Sequence, residues 1–209
     1  MKRLCHAILL AALICTAPAW ADAAAGERTD AGINPRYLLM DTKGRSVSDQ
    51  DFPGRFQLIA FGYTFCPDIC PTTLAEMAVI MEKLGKQGEK LQPLFVSIDP
   101  ERDTPEILRR YTEFFHPRII GLTGSPDLVR RVADHFKVSY AKHWEPGAAK
   151  DKYTVDHSAG MYLLGPDGSF VTKFAYATPP QEVADKIRAL LEEESKRTPA
   201  KRTPARKGP

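Results

Sequence analysis

Two cysteines separated by three residues, in Cys66-Pro67-Asp68-Ile69-Cys70, stand directly before Pro71. Pro71 has no N–H to give to a helix and is tolerated only in its first turn, which predicts a helix start near Asp68. Cys70 then falls on the first turn and Cys66 just ahead of it. Unpaired backbone N–H groups and the positive end of the helix dipole favour thiolates at both positions. Two adjacent thiolates make a soft bidentate site suited to Cu(I), and the same pair could close a Cys66–Cys70 disulfide; the spacing leaves both fates open. An ordinary thiol oxidoreductase would carry two intervening residues here rather than three. Structural zinc wants four ligands, and outside the first 21 residues the chain has no second cysteine pair. A purely structural disulfide explains neither the helix-start position nor the two prolines.

A two-sulfur copper site needs a third ligand, and four histidines follow the N-terminal segment: His116, His135, His143 and His157. His116 precedes Pro117 in a polar bend, and His135 falls near the C-terminal end of a predicted helix, where a cation is favoured anyway. Both read as structural or solvated. His157 stands in Asp156-His157-Ser158-Ala159-Gly160, just before a predicted strand, where Asp156 could orient the imidazole. Asp99, at the C-terminal end of a central strand beside the cysteines, could tune a metal, dock a partner or help to cap the helix that follows.

The elements that must position these groups are visible in the patterning. Gln57-Leu58-Ile59-Ala60-Phe61-Gly62 and Leu94-Phe95-Val96-Ser97-Ile98-Asp99 are short, nearly continuous apolar runs, as strands covered on both faces require. Between them Leu74, Met77, Ala78, Met81 and Leu84 recur at helical spacing, with Gly85 and Gly88 as stop signals. The result is a strand–helix–strand crossover with the cysteines at its first turn, where open α/β sheets place their sites. Thr104-Pro105 and Ser125-Pro126 each begin a further helix with a hydroxyl cap and a proline, and a short strand around Ile119-Ile120 separates the two. Met161 to Leu164 and Phe170 to Phe174 flank the turn sequence Gly165-Pro166-Asp167-Gly168 and predict a hairpin. Thr178-Pro179-Pro180-Gln181 has the pattern of a capping box for a last helix whose inner face is Val183, Ile187, Leu190 and Leu191. This order is the plan of an α/β, thioredoxin-like domain over residues 37–195, with an extra N-terminal β-hairpin around Tyr37 to Gly44.

The ends differ in kind from this body. Lys2-Arg3, an apolar run from Leu4 to Cys15, and Ala19-Trp20-Ala21 predict a signal peptide over residues 1–21, and hence export to the periplasm. An uncleaved run would instead hold the protein at the inner membrane, and a buried N-terminal helix would not need the basic start. Leu13-Ile14 before Cys15 disfavours lipidation. Residues 22–36 read as a flexible lead-in. Residues 196–209 nearly repeat Lys-Arg-Thr-Pro-Ala and hold no core-forming residue, which predicts a basic disordered tail that either solubilises the protein or touches anionic lipid. The tail carries six cationic residues and the signal two; removing these eight from the formal total of +3 leaves the body from Asp22 to Ser195 at −5. An acidic body argues against nucleic-acid binding, which needs clustered Lys and Arg on a folded face. A 209-residue chain that is 43% hydrophobic and 26% charged is an ordinary globular protein, which excludes collagen, coiled coil and polytopic membrane protein.

Three runs together resemble the signature segments of the Sco/SenC family of copper chaperones: Phe61 to Pro71 around the cysteines, Ser97-Ile98-Asp99-Pro100-Glu101-Arg102-Asp103-Thr104-Pro105, and Tyr153-Thr154-Val155-Asp156-His157-Ser158. They stand in family order and spacing, and the resemblance covers Tyr37 to Leu191. It implies a thioredoxin-like fold, binding of Cu(I) and Cu(II), and support for assembly of the copper centre of cytochrome c oxidase. It also implies that Cys66 and Cys70 are thiolate ligands and His157 the imidazole ligand. Phe65 departs from it, since many members carry histidine just before the first cysteine. The implied partners are a copper-accepting oxidase subunit, an upstream copper donor and a periplasmic thiol reductant, because the thiols must be reduced before loading. The alternative is a thiol-disulfide oxidoreductase that reduces the oxidase's cysteines and binds copper incidentally. Copper sensing or buffering is also compatible with these residues. A thiol peroxidase would want a Thr-x-x-Cys element at Cys66, which is absent.

Overall fold

A computed structural model describes residues 32–197. The expected signal peptide, most of the lead-in and all of the tail beyond Arg197 lie outside the described residues. β1 (Leu38–Asp41) and β2 (Ser46–Ser48) form the expected N-terminal hairpin. Its turn is held by Asp41, whose carboxylate accepts the backbone N–H groups of Lys43 and Arg45, each at 2.9 Å, and Gly44 supplies the positive φ the turn needs.

β3 (Phe56–Gly62), α1 (Ile69–Leu84) and β4 (Leu91–Ser97) make the crossover, with β3 and β4 parallel and every residue of both strands buried. β4 begins three residues before the expected run and carries Pro93 within it. The neighbouring Gln92 side chain donates to the Pro93 and Arg118 carbonyls, each at 3.0 Å. α2 (Pro105–Phe115) leads to β5 (Ile120–Thr123), and α3 (Pro126–His135) follows. Both helices begin as the sequence predicts: the Thr104 and Ser125 hydroxyls accept the N–H groups of Ile107 and Leu128.

β6 (Tyr140–Trp144) and β7 (Tyr153–His157) pair with each other as an antiparallel ribbon separate from the main sheet, an element the sequence reading does not contain. β8 (Met161–Leu164) and β9 (Phe170–Phe174) are the expected hairpin, and α4 (Pro180–Arg197) closes the described chain. The expected capping box does not form: the Thr178 hydroxyl donates to the Ala175 carbonyl instead, and Gln181 turns to Lys83 and Asp185. α4 also runs through Lys196 and Arg197, two residues into the segment expected to be disordered.

The main sheet has the order β2-β1-β5-β4-β3-β8-β9, so β3 and β4 lie at its centre and the N-terminal hairpin extends one edge. α1 packs beside α4, α2 against β5 and α3 against β1. Leu58, Ile59, Leu94 and Phe95 from the strands meet Leu74, Met77, Ile80, Leu108, Val129 and Ile187 from the helices in a fully buried core, each such side chain worth about 1.5–3 kcal/mol of transfer free energy. The architecture is thioredoxin-like, and it fixes the C-terminal end of β3 and the N-terminus of α1 as one rigid corner.

Candidate metal centre

That corner holds the cysteines. Asp68 is the N-cap of α1 and Cys70 its second residue. Cys70 is buried, Cys66 half-buried, and both are free thiols. Gly62, the last residue of β3, permits this packing: a Cβ there would lie 2.6 Å from the Cys70 Sγ and 2.9 Å from the Phe95 ring. The two sulfurs are electrostatically unlike, a departure from the expectation of two matched thiolates. The Cys66 thiol is pushed down to about 5, first by a hydrogen bond from Cys70 and then by the backbone N–H groups of Asp68 and Cys70 at the helix start. The Cys70 thiol is pushed up, because it is the donor in that bond and because it is buried. The pair therefore favours the thiolate at Cys66 and the thiol at Cys70.

His157 arrives from β7. Its Nδ1 is 3.0 Å from the Ser158 carbonyl oxygen, which can only accept, so Nδ1 carries the proton. In the neutral ring Nε2 is then an acceptor, and it lies within hydrogen-bond reach of the Cys70 Sγ at 3.5 Å. The two sulfurs and an imidazole nitrogen lie within 4.8 Å of one another, the one such cluster of metal-ligating groups found among the described residues. Two thiolates and one imidazole suit copper, which takes soft sulfur and borderline nitrogen at low coordination number.

The remaining predicted groups lie elsewhere. His116 Nδ1 accepts the Arg118 N–H at 3.1 Å, and His135 Nδ1 donates to the Arg36 carbonyl at 2.7 Å. Asp156 does not orient His157. Successive residues of a strand point to opposite faces, and its carboxylate pairs with the exposed His143 at 3.1 Å. Asp99 is fully buried. Its carboxylate accepts Arg102 Nε and the Tyr153 hydroxyl, each at 2.6 Å, so it can reach neither metal nor partner directly. Phe65 is exposed and lies with its ring 4.9 Å from the Arg102 guanidinium.

A model of the SCO1/SenC family matches residues 25–192. The chain belongs to that family. The SCO2-like protein of Rickettsia felis is 40% identical over 154 residues, which is 73% of this SCO1/SenC chain and 74% of that protein. The mitochondrial SCO2 homolog of Bos taurus is 38% identical over 154 residues, and the match spans only 57% of its length. Among solved structures, Arabidopsis thaliana ScoI with copper bound superposes with a TM-score of 0.71 at 34% identity, covering 77% of this chain and 99% of that one. Bradyrhizobium japonicum ScoI with copper bound gives 0.67 at 38% identity, with 75% and 98% covered.

In this SCO1/SenC chain several residues without an assigned role in the sequence reading hold the site. Tyr63 is buried with its ring edge-on to His157 at 6.2 Å, and its hydroxyl accepts the Val155 N–H at 3.2 Å. Asp103, buried, accepts the Thr64 hydroxyl and the Ser97 hydroxyl, each at 2.6 Å, and the Thr64 N–H at 3.1 Å. Burial pushes its carboxyl up. The alternation Tyr153, Val155, His157 against Thr154 and Asp156 is the period-two signal that marks β7.

Proposed function

We propose that this protein is an exported copper metallochaperone that binds copper, as cargo, through Cys66, Cys70 and His157 and passes it by ligand exchange to the copper centre of a respiratory cytochrome c oxidase. The observation that carries the reading is the convergence of the three donors within 4.8 Å at a helix start, with one sulfur half-exposed. A site with few ligands and an accessible edge is open to attack by an acceptor's thiolates, which is what release requires. Copper held in the Arabidopsis and Bradyrhizobium relatives supports the choice of metal. The basic start, apolar run and Ala19-Trp20-Ala21 support export. Uptake needs an upstream copper donor and a thiol reductant in the same compartment, and delivery needs the oxidase subunit as acceptor.

The division of the thiol pair favours a second reading. A thiolate at Cys66 beside a protonated Cys70 is also the arrangement of a dithiol reductant: Cys66 attacks an acceptor disulfide, Cys70 resolves the mixed disulfide, and the acceptor leaves as a dithiol while Cys66 and Cys70 are oxidised to a disulfide. Both readings need the cysteines, but only the metal site needs His157. Purified wild type is expected to bind one copper, and His157→Ala to lose copper affinity and oxidase assembly together while keeping thiol-disulfide exchange. Loss of assembly with full copper binding retained would refute the metallochaperone reading. Mass spectrometry of the exported protein, with and without copper, reports cleavage after Ala21, thiol state and metal stoichiometry at once.

A further inference from the structure

The two halves of the site come from different parts of the fold, and one turn grips both. Its residues 99–103 follow the buried end of β4. On one side Asp103 holds Thr64, two residues before Cys66. On the other, Asp99, Glu101 and Arg102 hold the β6–β7 ribbon that carries His157. Asp99 accepts the Tyr153 hydroxyl at 2.6 Å, and Glu101 pairs with Lys142 at 2.7 Å.

Arg102 makes the most of these contacts. Its Nε pairs with Asp99 at 2.6 Å, and its Nη1 donates to the Tyr153 carbonyl at 2.8 Å and the Asp151 carbonyl at 3.3 Å. Its guanidinium lies over the Tyr153 ring at 3.5 Å, with only 14% of the side chain exposed. Its Nη2 is buried with no hydrogen-bond partner, an arrangement that costs stability and that cation–π attraction to the Tyr63, Phe65 and Tyr153 rings offsets. A two-stranded ribbon is marginal by itself, so these ties, with the Tyr63 hydroxyl at Val155, fix where β7 ends. Tyr153 and His157 are four residues apart on the same face of that strand. A shift at Tyr153 is therefore passed along β7 to the imidazole, whereas Cys70 is held by α1 and the Thr64 segment by Asp103, with the Arg102 contact to the Phe65 ring at 4.9 Å as the tie beside Cys66.

We propose that Arg102 is a positioning residue that sets the reach of the His157 imidazole to the two sulfurs, and thereby the preference of the site between Cu(II) and Cu(I). The inference rests on the three-ligand reading above. The two thiolates supply most of the hold on soft Cu(I), with the imidazole as its third ligand, whereas harder Cu(II) depends more strongly on the nitrogen. Loosening β7 therefore weakens Cu(II) selectively. Only Arg has the planar fork that reaches a carboxylate and a carbonyl at once.

Cu(II) and Cu(I) dissociation constants are to be measured by chelator competition on purified wild type, Arg102→Ala, Arg102→Lys, Asp99→Asn, His157→Ala and the Arg102→Ala/His157→Ala double variant. Circular dichroism and thermal melting report folding, and Cu(II) electron paramagnetic resonance reports the nitrogen ligand. Arg102→Ala is expected to weaken Cu(II) about tenfold or more and Cu(I) less than about twofold. That raises the copper potential by about 59 mV per tenfold difference and alters the nitrogen hyperfine pattern. Arg102→Lys, which can keep the Asp99 pair, should lie between wild type and Arg102→Ala. In the His157→Ala background the Arg102→Ala effect should vanish. Equal weakening of both copper states, an effect that persists without His157, or unchanged Cu(II) binding in folded Arg102→Ala would overturn the proposal. If Arg102→Ala fails to fold, Asp99→Asn, which weakens the hold on Arg102, decides by the same ratio. Wild type and His157→Ala binding Cu(II) alike would instead overturn the three-ligand reading, and this inference with it.

Discussion

Cys66 and Cys70 share a proton unequally because they are unequally buried and because the donor in their hydrogen bond is Cys70. A lowered thiol pKa means that the reactive thiolate is present above that value and lost below it. Alkylation of Cys66 in the reduced, metal-free protein should therefore rise with pH through a midpoint of about 5, rather than the 8.5 or so of a free cysteine. Cys70→Ala removes the donor and should return the midpoint toward the ordinary range. A wild-type midpoint above about 8, read by mass spectrometry of labelled peptides, would contradict this picture. Gly62 acts at the same scale through absence. Gly62→Ala would press a methyl group to 2.6 Å from the Cys70 Sγ, and overpacking of this kind costs about 1–3 kcal/mol. We expect a lower urea midpoint together with weaker copper binding, and a variant as stable and as copper-competent as wild type would show that the corner yields. At this scale the candidate cysteine ligands are legible because their spacing and Pro71 are local in the chain, whereas His157 is singled out only by the resemblance of three separate runs. The roles of Asp99 and Asp156 are not legible, because they depend on which face of a strand a side chain takes and on what another segment brings to it.

The elements divide into those that hold themselves and those that are held. α3 begins with Ser125, whose hydroxyl accepts the Leu128 N–H, far from the site in the sheet order. Ser125→Ala should lower stability by about 1 kcal/mol, as lost N-caps do, with copper affinity unchanged. Asp103→Ala removes the acceptor for Thr64 and Ser97 and leaves their donors inside, for a loss of about 1–3 kcal/mol, and it should also weaken copper binding because the Thr64 segment leads directly into Cys66. Equal copper affinities in these two variants, measured by chelator competition, would show that the turn does not position the cysteines. The main sheet and its helices were legible because long apolar runs, hydroxyl–proline caps and glycine stops all agreed. The β6–β7 ribbon was not, since Tyr140-Ala141-Lys142-His143-Trp144 has no alternating apolar face and no buried residue and gains its order from contacts far away in sequence. The failed capping box at Thr178 has a similar origin: the Ala175 carbonyl, in the turn before, competes for the same hydroxyl.

For the whole molecule, the described body is a stable α/β sheet to which a small ribbon is fastened, and the candidate copper ligands lie on both parts. Cys70 and His157 are 87 residues apart in the chain. An ion bound to both would close that long stretch into a ring through two coordinate bonds, and so would act as a temporary cross-link whose effect grows with the length of chain it closes. The loaded protein should consequently resist unfolding more than the empty one, by about 2.7 kcal/mol when free copper stands at one hundred times the dissociation constant. The gain should be local as well. Hydrogen exchange across residues 140–157, whose local opening must release the ion, should slow on loading together with the β3 and β4 amides that exchange through global unfolding, and unchanged exchange across the ribbon would contradict it. Delivery would then leave behind a slacker molecule than the one that arrived, so that an emptied carrier differs from a full one in stiffness.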